Sequence, residues 1–221
     1  MSNIIRNAKI IGTGRYLPEK VITNEYLETI VSTNAAWVSK TLGIKERRFA
    51  HKNQATSDLA WQAGMNAVSD AKLKVGDIDL IIVATSTPDR IAPSTACIVQ
   101  KKMKAYQAVS FDISAVCSGF LFAMSVAAQY ISSRTYDHIL VIGADTFSKI
   151  TDMTRRDSVF FGDGAGAAVL SYAKSQEGFL TFQLYSDGRG KNNFTVPAGG
   201  SELPTSTETL QNRLHYFKMD G

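Results

Sequence analysis

Two thiols, Cys97 and Cys117, are the strongest nucleophiles in this sequence, and their surroundings differ. Cys117 lies in Phe111-Asp112-Ile113-Ser114-Ala115-Val116-Cys117-Ser118-Gly119-Phe120, where an apolar strand runs through small residues straight into a helix. A thiol at a helix N-terminus meets free backbone N–H groups and the positive end of the helix dipole, which favour the attacking thiolate. Ser118 and Gly119 leave room for a substrate beside the backbone. A buried structural cysteine fits the same run, because burial is the commonest fate of a free thiol. Position alone leaves both readings open. Cys97, in Ser94-Thr95-Ala96-Cys97-Ile98-Val99, falls mid-helix among apolar neighbours and reads as packing.

A catalytic thiolate usually has a base beside it, most often histidine. The sequence has three histidines. His51 sits in a polar stretch, His138 opens a strand, and His215 adjoins Tyr216 and Phe217. None has the context of a triad member, so the thiol lacks an evident partner. Other site chemistries fail sooner. Two cysteines make neither a disulfide framework nor a zinc site, and no metal site is expected. Gly12-Thr13-Gly14 lacks the third glycine of a dinucleotide loop, and Gly162-Asp163-Gly164-Ala165-Gly166 lacks a Walker lysine, so both read as tight turns.

The elements that must hold Cys117 follow from periodicity. A short apolar run covers 8–17, and helices start at Thr23-Asn24 and at Ser57-Asp58. The continuous apolar run at 80–85 reads as a strand buried on both faces, 108–114 as another short strand and 138–144 as a third, buried-looking one. Helices from Pro93-Ser94-Thr95 to about Lys104, and from Cys117 to Ser132, separate them. That alternation predicts an α/β layered fold with a mainly parallel sheet. The runs 167–172 and 179–185 lack an intervening helix and predict a hairpin, and 188–209 reads as a long polar loop.

Composition bounds the rest. The 221 residues are 44% hydrophobic and 20% charged, ordinary for a globular protein. Net charge is +4, without a dominant basic block or interleaved aromatics, so a nucleic acid partner is not expected. No apolar run approaches a membrane span and no signal-peptide core opens the chain, which predicts a cytoplasmic protein away from membranes.

The chain resembles β-ketoacyl-acyl carrier protein synthase III, an initiating condensing enzyme of fatty acid biosynthesis. The matching pieces are 12–18, Trp37 through Arg47, the Cys117 run at 111–120, Arg155 through Leu170 with its FGDGAGAAVL, Asp187-Gly188 and 217–219. The resemblance implies a thiolase-like fold, of which this chain is the N-terminal half of a layered αβαβα architecture. It implies that Cys117 accepts the acyl group and that Trp37 and Arg155 sandwich the adenine of coenzyme A. Ala92 stands where a bulky aromatic commonly closes the acyl pocket, implying room for a longer or branched primer. Thr41, beside Lys40, stands where an arginine is common, implying that coenzyme A is bound less tightly or in another register.

The partners implied are an acyl-coenzyme A substrate, malonyl-acyl carrier protein and a second copy in a homodimer, with no resident cofactor. The catalytic histidine and asparagine of that family lie in a second half. Residues 1–187 are therefore expected to form the nucleophile-bearing domain and 188–221 the connection, and condensation by this chain alone is not expected. The alternatives are an acyltransferase of the same fold working on an alcohol or amine without decarboxylation, and a non-catalytic half subunit.

Overall fold

The computed structural model describes residues 6–173 and 177–219. Along the chain run β1 (Ala8–Tyr16), β2 (Lys20–Thr23), α1 (Asn24–Glu28), α2 (Ala35–Trp37), β3 (Glu46–Phe49) and α3 (Thr56–Asp70). Next come β4 (Leu80–Ala84), α4 (Thr95–Met103), β5 (Val109–Ile113), α5 (Gly119–Ser132) and β6 (His138–Thr146). The last elements are β7 (Asp163–Tyr172), β8 (Phe194–Thr195), α6 (Thr207–Gln211) and β9 (Lys218–Met219). Two compact units result, each discontinuous in sequence: Met1–Glu19, Ala50–Thr146 and Asp163–Leu184 form one; Lys20–Phe49, Phe147–Gly162 and Tyr185–Gly221 form the other.

The first unit is a five-stranded sheet in the order β1-β7-β6-β4-β5. Strand β4 runs parallel to both β5 and β6, as the helix-separated runs predict. The expectation of a mainly parallel sheet needs correcting at β7, which is antiparallel to both β6 and β1. With both its edges taken, β7 cannot form the expected hairpin with 179–185. Those residues carry no strand, and Phe179 and Phe182 pack on the apolar face instead.

Alternation along β4 explains its unbroken apolar run. Ile81 and Val83 face α3 and α4, while Leu80 and Ile82 face α5. Each such side chain stabilises the fold by about 1.5–3 kcal/mol. Gly12 and Gly14 prove to be a contact, not a turn. A Cβ on Gly14 would stand 2.2 Å from the Ala63 carbonyl oxygen, so these glycines let α3 lie directly on β1.

Carboxylates fix the helix starts. Asp58 accepts from the Ala55 N–H at 2.8 Å, and Asp89 accepts from the Ser57 N–H and hydroxyl at 2.8 and 2.7 Å. Asp112 on β5 takes the Thr95 and Ala96 N–H groups of α4, each at 2.7 Å. These bonds satisfy donors that the first helical turn leaves unpaired.

The second unit holds the antiparallel β2–β3 and β8–β9 ladders. Its core joins Ile22, Leu27, Val31, Val38 and Val159. Beside these, Phe147, Phe161, Phe194 and Phe217 cluster with centroids 4.5 to 6.3 Å apart, two pairs stacked and the others tilted or edge-on. The expected long loop after Gly188 carries β8 and α6 within it. Among the described residues, no helix is long and apolar enough to cross a membrane.

Candidate active site

Strand β5 ends at Ile113, and a single turn, Val116–Ser118, carries the chain into α5. Val116 has φ 46°, a left-handed conformation that a β-branched residue adopts only under strain. Two close approaches fix the turn from behind. A Cβ on Gly119 would stand 3.3 Å from the Ala84 Cβ, and Phe120 packs against Gly143, where a Cβ would meet its ring at 3.2 Å. Larger residues at 119 or 143 would push the start of α5 off the sheet. Cys117 itself is exposed. Cys97 is half-buried with its Sγ 3.3 Å from the Ser110 hydroxyl, the packing position expected of it.

One carboxylate near this end of the sheet escaped the sequence reading. Asp145, at the end of β6, collects four donors on Oδ1: the Ser86 N–H at 2.8 Å, the Thr87 N–H and hydroxyl at 3.1 and 3.0 Å, and the Thr85 hydroxyl at 3.2 Å. Burial pushes its carboxyl above the usual carboxylate range, and the four hydrogen bonds offset only part of that rise. Asp145 thereby shapes the chain as it leaves β4, and the Thr85 N–H in turn donates to the Ile113 carbonyl at the end of β5. Ala92 lies further along that connection, exposed, just ahead of α4.

Each histidine has a local partner. His51 Nδ1 is 3.4 Å from the Asn53 N–H, His138 Nδ1 is 3.1 Å from the Asp77 carbonyl, and His215 Nε2 is 3.0 Å from the Thr209 hydroxyl.

In the second unit a cavity of about 510 Å³ is lined by Trp37, Arg155, Arg156, Asp157, Val159, Phe160 and Met219. Asn34 caps the short α2 by accepting from the Trp37 N–H at 2.9 Å, which sets the indole at the end of that turn. The guanidinium over the ring belongs to Arg156, 4.8 Å from the ring centroid, where the resemblance had suggested Arg155. Arg155 lines the same cavity, but its fork is tied to Asp157, at 2.6 Å from Nη2 and 3.1 Å from Nε. That hydrogen bonding raises Arg155 above the ordinary arginine value. Two adjacent arginines cannot be told apart by spacing alone. Lys40 and Thr41 are exposed in the turn that follows Trp37.

Behind the cavity lies Arg47, 6% exposed. It donates to the Asn24 Oδ1 at 2.8 Å and to the Val159 and Ile22 carbonyls at 3.2 and 3.3 Å, tying the cavity wall to α1 and β2. Burial lowers its affinity for the proton, and the Glu25 charge restores part of it. Among the described residues, no group of three or more histidine, cysteine or acidic side chains could hold a metal ion.

A helix-covered mixed sheet, with a thiol at the turn from strand to helix, is the architecture of the thiolase-like proteins. Comparison narrows the class. Residues 111–188 match the family model of 3-oxoacyl-[acyl-carrier-protein (ACP)] synthase III. The chain is 50% identical over 215 residues to the β-ketoacyl-[acyl-carrier-protein] synthase III of Caldanaerobacter subterraneus subsp. tengcongensis, spanning 97% of this chain and 65% of that protein. It is 47% identical over 219 residues to the protein of the same name from Natranaerobius thermophilus, spanning 97% and 67%. The crystal structure of 3-oxoacyl-[acyl-carrier-protein] synthase III from Aquifex aeolicus VF5 superposes with a TM-score of 0.85 at 40% identity, over 97% of this chain and 65% of that one. The enzyme of Pseudomonas aeruginosa PAO1 gives 0.87 at 35%, over 98% and 65%. This chain belongs to the β-ketoacyl-acyl-carrier-protein synthase III family. It spans about two thirds of the length of these relatives.

Proposed function

We propose that this chain carries the acyl-accepting half-reaction of a condensing enzyme of fatty acid biosynthesis. Cys117 is the nucleophile. Its thiolate attacks the carbonyl carbon of an acyl-coenzyme A thioester, the backbone N–H groups at the start of α5 face the oxyanion, and the bond from carbonyl carbon to coenzyme sulfur breaks; the coenzyme leaves as a thiolate and takes up from solvent the proton that the Cys117 thiol had lost. Trp37 and Arg156 hold the flat adenine by stacking, the guanidinium lifting off the indole, on which it rests at 4.8 Å here, to admit the base, with Arg155 in the cavity wall. Ala92, small and exposed, leaves the acyl group room to be longer or branched. The observation that carries this reading is the exposed Cys117 on a strained strand-to-helix turn, inside the segment that matches the family model.

In the second half-reaction, malonyl-acyl carrier protein loses carbon dioxide. Its carbanion attacks the acyl-cysteine, forming 3-oxoacyl-acyl carrier protein and freeing the thiolate. All three histidines have local partners, so none is offered as the group that stabilises that enolate. Residues 1–187 would then hold the nucleophile and 188–221 form a connecting segment. Cytoplasmic location and a homodimer belong to the same reading. Strand β5 pairs with β4 on one side and, among the described residues, with no strand on the other.

The experiment is to mix the chain with acyl-coenzyme A, with and without malonyl-acyl carrier protein, and to follow thiol release and ketoacyl product. One equivalent of coenzyme released without ketoacyl product supports the reading. Steady ketoacyl formation would show condensation by these residues alone, and no release from the folded chain would remove Cys117 from the chemistry.

A further inference from the structure

Asp145 takes no part in the chemistry assigned to Cys117, yet four donors converge on it. Its Oδ1 gathers the Ser86 and Thr87 N–H groups and the Thr85 and Thr87 hydroxyls within 2.8 to 3.2 Å. Further hydroxyls close around these. The Thr146 N–H donates to the Thr87 hydroxyl at 2.8 Å, the Thr56 hydroxyl donates to the Thr87 carbonyl at 2.5 Å, and the Thr56 and Thr146 hydroxyls lie 2.8 Å apart. All four threonines are buried, in a unit whose core is otherwise largely aliphatic. Well-packed apolar side chains would join the ends of β4, β6 and α3 without burying a carboxylate. What the carboxylate adds is direction: donors that meet on one oxygen leave residues 85–87 a single path.

The nucleophile turn rests on that path. The Thr85 N–H donates to the carbonyl of Ile113, the last residue of β5, at 3.3 Å. On the other side of the turn Ala84 meets the start of α5, where a Cβ on Gly119 would stand 3.3 Å from the Ala84 Cβ. Residues 114–118, with Cys117 and the left-handed Val116, are therefore strung between two supports that both bear on Ala84-Thr85. A strained conformation persists only where its surroundings over-determine it. Asp145 holds Thr85 and the two residues after it, and through them both supports.

We propose that Asp145 is a positioning residue for the Cys117 nucleophile, a role that rests on the reading of Cys117 as the acyl acceptor and deepens it. By gathering Thr85, Ser86 and Thr87 on one oxygen, it fixes the two ends of the strand-to-helix turn, and with them the direction in which the thiolate meets the thioester. Trp37 belongs to the other unit, so Asp145 should govern the rate of acyl transfer and not the binding of the coenzyme. All four bonds fall on Oδ1, so an amide oxygen can accept them, and asparagine can stand in for aspartate where alanine cannot.

The test is single-turnover acylation of Cys117 by acetyl- and butyryl-coenzyme A, followed by intact mass over a range of concentrations. It compares the wild type with Asp145→Ala, Asp145→Asn and Thr85→Val, with urea unfolding to establish that each is folded under the assay conditions. Asp145→Ala should lower the limiting rate about 10- to 100-fold, the cost of a displaced reacting group, with the half-saturating concentration within about twofold of wild type. Asp145→Asn should recover to within about threefold of the wild-type rate, and Thr85→Val, which loses one donor of the four, should slow about two- to fivefold. A carboxylate that only stabilises the fold would shift the urea midpoint and leave the limiting rate of the folded chain unchanged; that result in Asp145→Ala overturns the proposal. An asparagine variant as slow as the alanine variant overturns it too, because the charge and not the convergence of bonds would then matter. Should Asp145→Ala fail to fold, Thr85→Val decides: a lowered limiting rate at an unchanged half-saturating concentration supports the proposal, and a wild-type rate overturns it. No adduct on Cys117 in the wild type overturns the acyl-transfer reading and the role of Asp145 with it.

Discussion

The unit that carries Cys117 and the unit that carries Trp37 are built by different means. The first is a regular sheet with aliphatic side chains on both faces, and its functional turn is held by close backbone approaches at Gly119 and Gly143. The second has short ladders and single turns drawn from three stretches of chain, fastened by Arg47, clustered phenylalanines and ion pairs. Nonpolar packing along a sheet tolerates the loss of a surface group. An assembly of few, specific contacts depends on each of them.

The largest expected contrast is at the nucleophile. Cys117→Ala should abolish acyl transfer to the protein while changing stability by no more than about 0.5 kcal/mol, since the side chain is exposed. Activity by mass spectrometry and stability by urea unfolding check the two halves of that statement. A large loss of stability would mean that the thiol packs after all.

Next in size is Phe217→Ala. Phe217 is 1% exposed at the centre of the phenylalanine cluster, and its truncation should cost about 3–5 kcal/mol. The loss should also weaken coenzyme binding, since Met219, two residues on, lines the Trp37 cavity. The alkylation rate of Cys117 by iodoacetamide in the folded variant should change little. Parallel loss of both would erase the difference between the units.

Smaller effects separate the two adjacent arginines. Arg156→Ala should weaken coenzyme A binding by about 0.5–2 kcal/mol, the range of a cation–π contact from exposed to desolvated. Arg155→Ala should do less, because its guanidinium is occupied by Asp157. Equilibrium titration of the two variants gives the order, and the reverse order would restore the pairing expected from sequence.

The smallest effect is a pH slope. The Asp145 carboxyl is raised in the folded state, so between its usual value and the raised one the folded chain holds more proton than the unfolded chain. Stability contributed at this site therefore falls as pH rises through that window. Asp145→Asn, with an oxygen still able to accept and no charge to bury, should lack that slope. Its stability relative to wild type should rise from mildly acidic to neutral pH, a trend that urea unfolding at several pH values resolves. A flat difference would mean that the four donors already compensate the buried charge.

Sequence reading and structure agree where periodicity governs. The apolar run at β4, the helix starts near Ser57 and Ser94, and the passage from β5 through Cys117 into α5 were all legible, because burial on one or two faces imposes a repeat. The partners of β7 were not, since pairing depends on which edges remain free, and no local pattern records that. Arg156 could not be distinguished from Arg155 because they are neighbours in sequence, and only their contacts, Trp37 for one and Asp157 for the other, separate them. Asp145 and Arg47 stayed hidden for a related reason. Each is a single polar residue whose partners lie far along the chain, as with Arg47 and Val159.

If Trp37 binds the coenzyme of the thioester that acylates Cys117, acylation must saturate with concentration and must depend on that ring. The direct measurement is the rate of acyl adduct formation on Cys117, by intact mass, over a range of acyl-coenzyme A concentrations in the wild type and in Trp37→Ala. Saturation is expected in the wild type. In Trp37→Ala the half-saturating concentration should rise about 3- to 30-fold, the worth of one aromatic contact, with a limiting rate close to wild type. Acylation that rises linearly with concentration, or a Trp37→Ala variant that saturates like the wild type, would contradict it.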